Sequence, residues 1–148
     1  MPRIERTAEV TWDGNIARGA GTLSGGSGAF SELGYSLATR IGAPEGKTSP
    51  EELLAAAHGG CLTMALVGEL TAAKTPPGHV ATTCLIVMDE VPGQGHQIVG
   101  SHVELVVTVD GLDDDGLQAA LAKADEGCPF SALLRRAGAD VQSSARLG

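Results

Sequence analysis

Ser49-Pro50-Glu51-Glu52-Leu53-Leu54-Ala55-Ala56-Ala57-His58-Gly59-Gly60-Cys61-Leu62-Thr63-Met64 is the stretch on which the reading of this chain turns. Ser49 is a good N-cap, Pro50 suits the first helical position, and Glu52 at the third completes a capping box. Glu51 and Glu52 also sit favourably at the positive end of the helix dipole. The helix is predicted to run through Leu53, Leu54, Cys61, Met64 and Leu66 to about Ala73, where Pro76-Pro77-Gly78 stops it. It is apolar nearly all round, the pattern of a buried helix. Gly59 and Gly60 together cost about 2 kcal/mol of helix propensity relative to Ala. A helix tolerates that where something comes very close, whether another helix or a substrate.

Outward from this helix the signals are shorter. Residues 5–12 alternate polar and apolar side chains, Asp13-Gly14 marks a turn, and residues 16–23 read as the hairpin partner. Ser24-Gly25-Gly26-Ser27-Gly28 is a loop, and residues 35–40 read as a third short strand before a second loop at 42–48. Beyond the helix, two long strands are predicted at 80–91 and 98–109, joined by Pro92-Gly93-Gln94-Gly95. Asp113 to Asp115 start a second helix with Leu117, Leu121 and Ala124 on one face, ending near Gly127. A turn or helix at 129–135 leads to a last strand at 140–145. There are no repeats and no boundary, so the expectation is one α+β domain over residues 1–148.

Of the 148 residues 43% are apolar, but only Trp12, Phe30, Tyr35 and Phe130 are aromatic, so the core must be Val, Leu, Ile and Ala. A core of small side chains buries little area each, which favours completion by a partner subunit. The net charge is −8 and Arg135-Arg136 is the one adjacent basic pair, which argues against nucleic acid. The longest apolar stretch, 53–67, is interrupted by His58 and Gly59-Gly60 and is too short to span a membrane. Arg3, Glu5, Arg6 and Glu9 break up any signal-like run, so the expected location is the cytoplasm.

In a reducing compartment three cysteines are buried hydrophobes, metal ligands or redox groups, and an odd number excludes full pairing within one chain. Residue type leaves Cys61 open between a core cysteine and a functional thiol. Cys128, in Glu126-Gly127-Cys128-Pro129-Phe130-Ser131, follows a helix end and precedes a new turn. Free backbone N–H groups there favour a thiolate, and a buried corner residue is the alternative. Cys84 alternates within a strand and reads as structural.

A cysteine peroxidase needs a defined set of parts. Only the thiolate attacks the O–O bond, and a free thiol with a pKa near 8.5 is mostly protonated at neutral pH. A guanidinium beside it stabilises both the thiolate and the departing alkoxide. A carboxylate must hold that guanidinium, and a second thiol must rescue the sulfenic acid from over-oxidation. Arg18 in the second strand and Arg40 at the end of the third are candidate cations; Glu51 and Glu52 are candidate carboxylates. On one straight helix Glu51 and Cys61 lie about 15 Å apart. Two such helices crossing antiparallel about a two-fold axis would bring Glu51 of one copy toward Cys61 of the other. A homodimer with its sites at the interface is therefore expected.

At this point the chain resembles the osmotically inducible protein C and organic hydroperoxide resistance (OsmC/Ohr) family, nearly end to end. The likeness rests on Trp12-Asp13-Gly14 with Arg18-Gly19-Ala20-Gly21-Thr22, on Thr39-Arg40, and on Ser49-Pro50-Glu51-Glu52-Leu53 with Ala56-Ala57-His58 leading to Cys61. Lys123-Ala124 and Gly127-Cys128-Pro129 complete it. The resemblance implies an antiparallel sheet wrapped around a long buried central helix in an intertwined homodimer. It also implies reduction of organic hydroperoxides, with hydrogen peroxide a further substrate, by Cys61, and resolution by Cys128 as a disulfide. Glu51 matches the family carboxylate. His58 and the Thr39-Arg40 pair favour the osmotically inducible branch, hence Arg40 before Arg18 as the cation. The other branch usually has an aromatic residue where His58 stands, so His58 reads as a polar core residue rather than an obligatory base. The implied reductant is an external dithiol or a lipoyl-bearing protein.

Other chemistries fit poorly. Gly19-Ala20-Gly21 is followed by no helix and no Gly-Lys-Ser/Thr, so it is not a nucleotide loop. Cys84, Cys128, His79, His96 and His102 lack zinc-ligand spacing. No haem, flavin or other cofactor signal appears. The alternative from a different class is a redox-sensing or small-molecule-binding protein that uses the same disulfide as a switch.

Overall fold

A computed structural model describes residues 1–148. The chain falls into two compact units, Met1–Pro50 and Glu51–Gly148.

The first unit is a three-stranded antiparallel sheet of β1 (Ala8–Asp13), β2 (Ala20–Gly25) and β3 (Leu33–Tyr35), followed by a short helix α1 (Leu37–Ile41). The hairpin pairs Asp13 with Ala20, so β2 starts later than the expected residue 16. The reason is Asn15, whose Oδ1 accepts the backbone N–H groups of Ala17 and Arg18 at 3.1 and 3.0 Å and holds the intervening chain as a turn. The expected third strand at 35–40 is mostly helix. Ser36 is extended, its hydroxyl accepts the Thr39 N–H at 3.2 Å, and that cap starts α1.

The second unit holds α2 (Pro50–Ala72) from Glu51 onward, then β4 (His79–Val91), β5 (Gly95–Thr108), α3 (Asp114–Gly127), α4 (Pro129–Arg136) and β6 (Asp140–Leu147). Asp113 caps α3 by accepting the Gly116 N–H at 2.8 Å. The order β4-β5-β6 is not wholly antiparallel: β4 and β5 form a hairpin, whereas β6 runs parallel to β5. A parallel neighbour needs a long crossover, and α3 with α4 supplies it. One antiparallel sheet was the expectation; the protein has two sheets, one of them mixed.

The core is one cluster. Val103, Leu105 and Val107 alternate on the inner face of β5, Leu62, Leu66 and Leu70 recur every fourth residue along α2, and Leu117, Leu121 and Ala124 come from α3. The α2 stripe corrects a second expectation, because the helix is buried along one face only. Ala56, Gly60, Met64 and Gly68 lie exposed on the other, with Met64 at 78%. The helix is also longer than the uninterrupted apolar stretch, and by length and composition it passes for a membrane span. Its leucine stripe is instead packed on β5 and α3 as the core helix of this unit.

Candidate active site

Cys61 lies midway along α2, half-buried against the core, and the fully buried Cys128 sits where α3 ends and α4 begins. Cys61 packs against the core in which Cys128 is buried, and Cys128 lies close enough to act on its proton. Burial pushes the Cys61 thiol above its ordinary value, and the hydrogen bond and charge of Cys128 push it the same way. The backbone N–H of Phe130, in the first turn of α4, opposes them by favouring the thiolate. The free N–H that the sequence suggested for Cys128 thus acts on Cys61.

His58, one turn before Cys61 on α2, is fully buried. Nδ1 lies 2.6 Å from Ser101 Oγ on β5, and Nε2 lies 2.9 Å from Ser131 Oγ on α4. One ring nitrogen donates and the other accepts, with the hydroxyls rotating to match. Burial lowers the basicity of the imidazole; the Asp125 carboxylate raises it and the Arg135 guanidinium lowers it. Asp125 on α3 and Arg135 on α4 form an ion pair across the corner that carries Cys128. Sequence reading singled out neither serine. The available signal was Ser101 standing in phase with Val103, Leu105 and Val107 at inward positions of β5.

The other expected residues are distributed as follows. Glu51 and Glu52 occupy the first turn of α2, Glu51 half-buried and Glu52 exposed. Arg40 lies in the last turn of α1 rather than at the end of a strand, and Arg18 in the β1–β2 turn rather than in β2. Cys84 on β4 keeps its structural place, with Sγ 3.7 Å from Ser101 Oγ. Gly59 has a reason within the chain: a Cβ there would stand 3.2 Å from the Cβ of Cys84 and 3.6 Å from Thr82 Cγ2. Gly60 faces open space.

The packed helix and the helix corner thus bring two free thiols into one core. The profile of the OsmC-like protein family matches residues 42–144, and the chain belongs to that family. It is 36% identical over 132 residues to peroxiredoxin OsmC of Escherichia coli (strain K12), covering 89% of this chain and 91% of that one. The organic hydroperoxide resistance protein of Xanthomonas axonopodis pv. citri (strain 306) is 35% identical over 89 residues, 60% of each chain. Among solved structures, an organic hydroperoxide resistance protein OsmC from Legionella pneumophila superposes with a TM-score of 0.72 at 25% identity, covering 97% of this chain and 98% of that one. An OsmC-like protein from Vibrio cholerae O1 shares the fold with a TM-score of 0.78 at 16% identity, over 97% and 100% of the two chains.

Proposed function

We propose that this chain is a thiol-dependent peroxidase acting on organic hydroperoxides, and on hydrogen peroxide as a further substrate. The observation that carries the reading is that Cys61 packs against the core in which Cys128 is buried, with Cys128 and the Phe130 backbone both acting on its proton. In the first step the Cys61 thiolate attacks one peroxide oxygen and the O–O bond breaks. The electron pair leaves with the other oxygen, which takes a proton to become the alcohol, and Cys61 becomes a sulfenic acid. The Cys128 thiolate then displaces hydroxide from that sulfur, water leaves, and a Cys61–Cys128 disulfide remains. An external dithiol, free or lipoyl-type, returns both thiols.

Burial and Cys128 push the Cys61 thiol up, so neutral-pH reactivity calls for a cation. We assign that role to Arg40, with Arg18 second, and the carboxylate that holds it to Glu51, with Glu52 second. Arg40→Ala is expected to lower kcat/KM about 10²-fold, the usual loss when one charge-stabilising donor is removed. The reading includes a homodimer formed through the exposed face of α2, supported by the unpartnered small and apolar residues there.

The test is consumption of an organic hydroperoxide with dithiothreitol or dihydrolipoamide as reductant. Wild type should turn over, Cys61→Ser should be inert, and Cys128→Ser should slow and accumulate over-oxidised Cys61. If all three are equally inert while Cys61 and Cys128 still form a disulfide in the wild type, the protein is a redox switch and the peroxidase reading falls.

A further inference from the structure

Cys128 and Phe130 serve Cys61 only if the first turn of α4 is held against α2. α4 is an eight-residue helix whose N-cap, Cys128, makes no side-chain capping bond. Beside the core packing of Cys128 and Phe130, a side-chain hydrogen bond ties this turn to α2: Ser131 is fully buried and 2.9 Å from Nε2 of His58. His58 is itself anchored from its other side by Ser101, 2.6 Å from Nδ1 and also fully buried. The line Ser101–His58–Ser131 therefore crosses from β5 through α2 to α4, one helical turn from Cys61.

We propose that His58 is a positioning residue, whose hydrogen bond to Ser131 fixes the first turn of α4 so that the Cys128 thiol and the Phe130 N–H both face Cys61. The charged groups around the imidazole fit a neutral ring held in place. Asp125 from α3 pairs through Oδ2 with Arg135 from α4 while its buried Oδ1 has no partner, and the groups in contact from β5 and α4 are hydroxyls. A neutral imidazole satisfies both serines at once, donating from one nitrogen and accepting at the other. Loss of the Ser131 bond leaves Ser101–His58 intact but frees the α4 turn. The inference deepens the peroxidase reading by naming what aligns its resolving thiol. It is nevertheless measurable without peroxide.

The ring's two nitrogens give the experiment its contrast. The terminal amide of Gln reaches the Nε2 position, and that of Asn reaches only the Nδ1 position. His58→Gln keeps a partner for Ser131, whereas His58→Asn keeps one for Ser101 alone. The readouts are the pH titration of the Cys61 thiolate by ultraviolet absorbance and the rate of Cys61–Cys128 closure with diamide, alongside the unfolding midpoint. His58→Asn and Ser131→Ala are expected to close the disulfide about tenfold more slowly, the equivalent of about 1.4 kcal/mol, and to titrate Cys61 at lower pH as Cys128, whose effect exceeds that of the Phe130 N–H, moves off. His58→Gln should restore both. Equal closure rates and titrations for the Asn and Gln variants would overturn the proposal, whatever their stabilities. So would a Ser131→Ala protein that closes at the wild-type rate. If Ser131→Ala does not fold, the Asn/Gln pair decides alone. A wild type without peroxidase turnover sinks the functional reading and leaves this contrast readable.

Discussion

Cys61 in α2 packs against the core in which Cys128, at the α3–α4 corner, is buried, and Cys128 acts on the Cys61 proton. Both are carried by elements packed into the same leucine and valine core, so the proximity is built into the fold rather than left to a loop. It also works against the reactive form, because Cys128 adds to burial in holding the Cys61 proton on.

Removing that neighbour should therefore ease ionisation. In Cys128→Ala the Cys61 thiolate is expected to titrate at lower pH than in wild type, followed by ultraviolet absorbance or by alkylation rate against pH. An unchanged or higher midpoint would mean that Cys128 does not oppose the charge on Cys61.

The buried imidazole links stability to pH. Burial lowers the pKa of His58 in the folded chain below its ordinary 6.5, so as pH falls below that value the unfolded chain takes up a proton that the folded chain refuses. Stability is fully present above 6.5 and is lost as pH falls toward the folded value, with a slope from this group of at most about 1.4 kcal/mol per pH unit. Urea midpoints across this range should fall less steeply in His58→Gln than in wild type. Parallel curves would count against a buried neutral histidine.

The adjacent glycines should behave oppositely. Gly59→Ala sets a methyl group 3.2 Å from the Cβ of Cys84, a crowding cost of about 1–3 kcal/mol that outweighs the gain in helix propensity. Gly60→Ala meets nothing within 4 Å in the chain and should gain up to about 1 kcal/mol of helix stability. Denaturation at protein concentrations low enough to separate subunits compares them directly.

The exposed face of α2 offers a test of assembly. Met64 is 78% exposed, and Met64→Glu places a charge on a face assigned to a second copy. Sedimentation is expected to shift the variant toward monomer, with hydroperoxide turnover falling in parallel. A monomeric variant with full turnover would remove the active site from the dimer interface.

Much of this protein was legible because its signals are local. Asp113 at the head of α3, the Pro76-Pro77-Gly78 stop after α2, and the alternation in β4 and β5 each act within a few residues. The same holds for the two cysteines, marked by residues beside them. Where local signals compete, the reading slipped. The strand expected at 35–40 gives way at Leu37–Ile41, where the Ser36 cap starts a helix, and Asn15 draws Arg18 out of the strand into the turn.

By itself, the sequence determined the α+β class, the order of elements apart from α1, the long helix with Cys61 at its middle, and the family. Caps, breakers and hydrophobic periodicity are short-range physics. Only the tertiary structure decided that β6 runs parallel to β5, and that one face of α2 is buried while the other is open. It alone sets Cys61 against the core that buries Cys128 and holds His58 between Ser101 and Ser131. Those relations join residues far apart in the chain. They are fixed by the burial of a shared core, which no local pattern specifies.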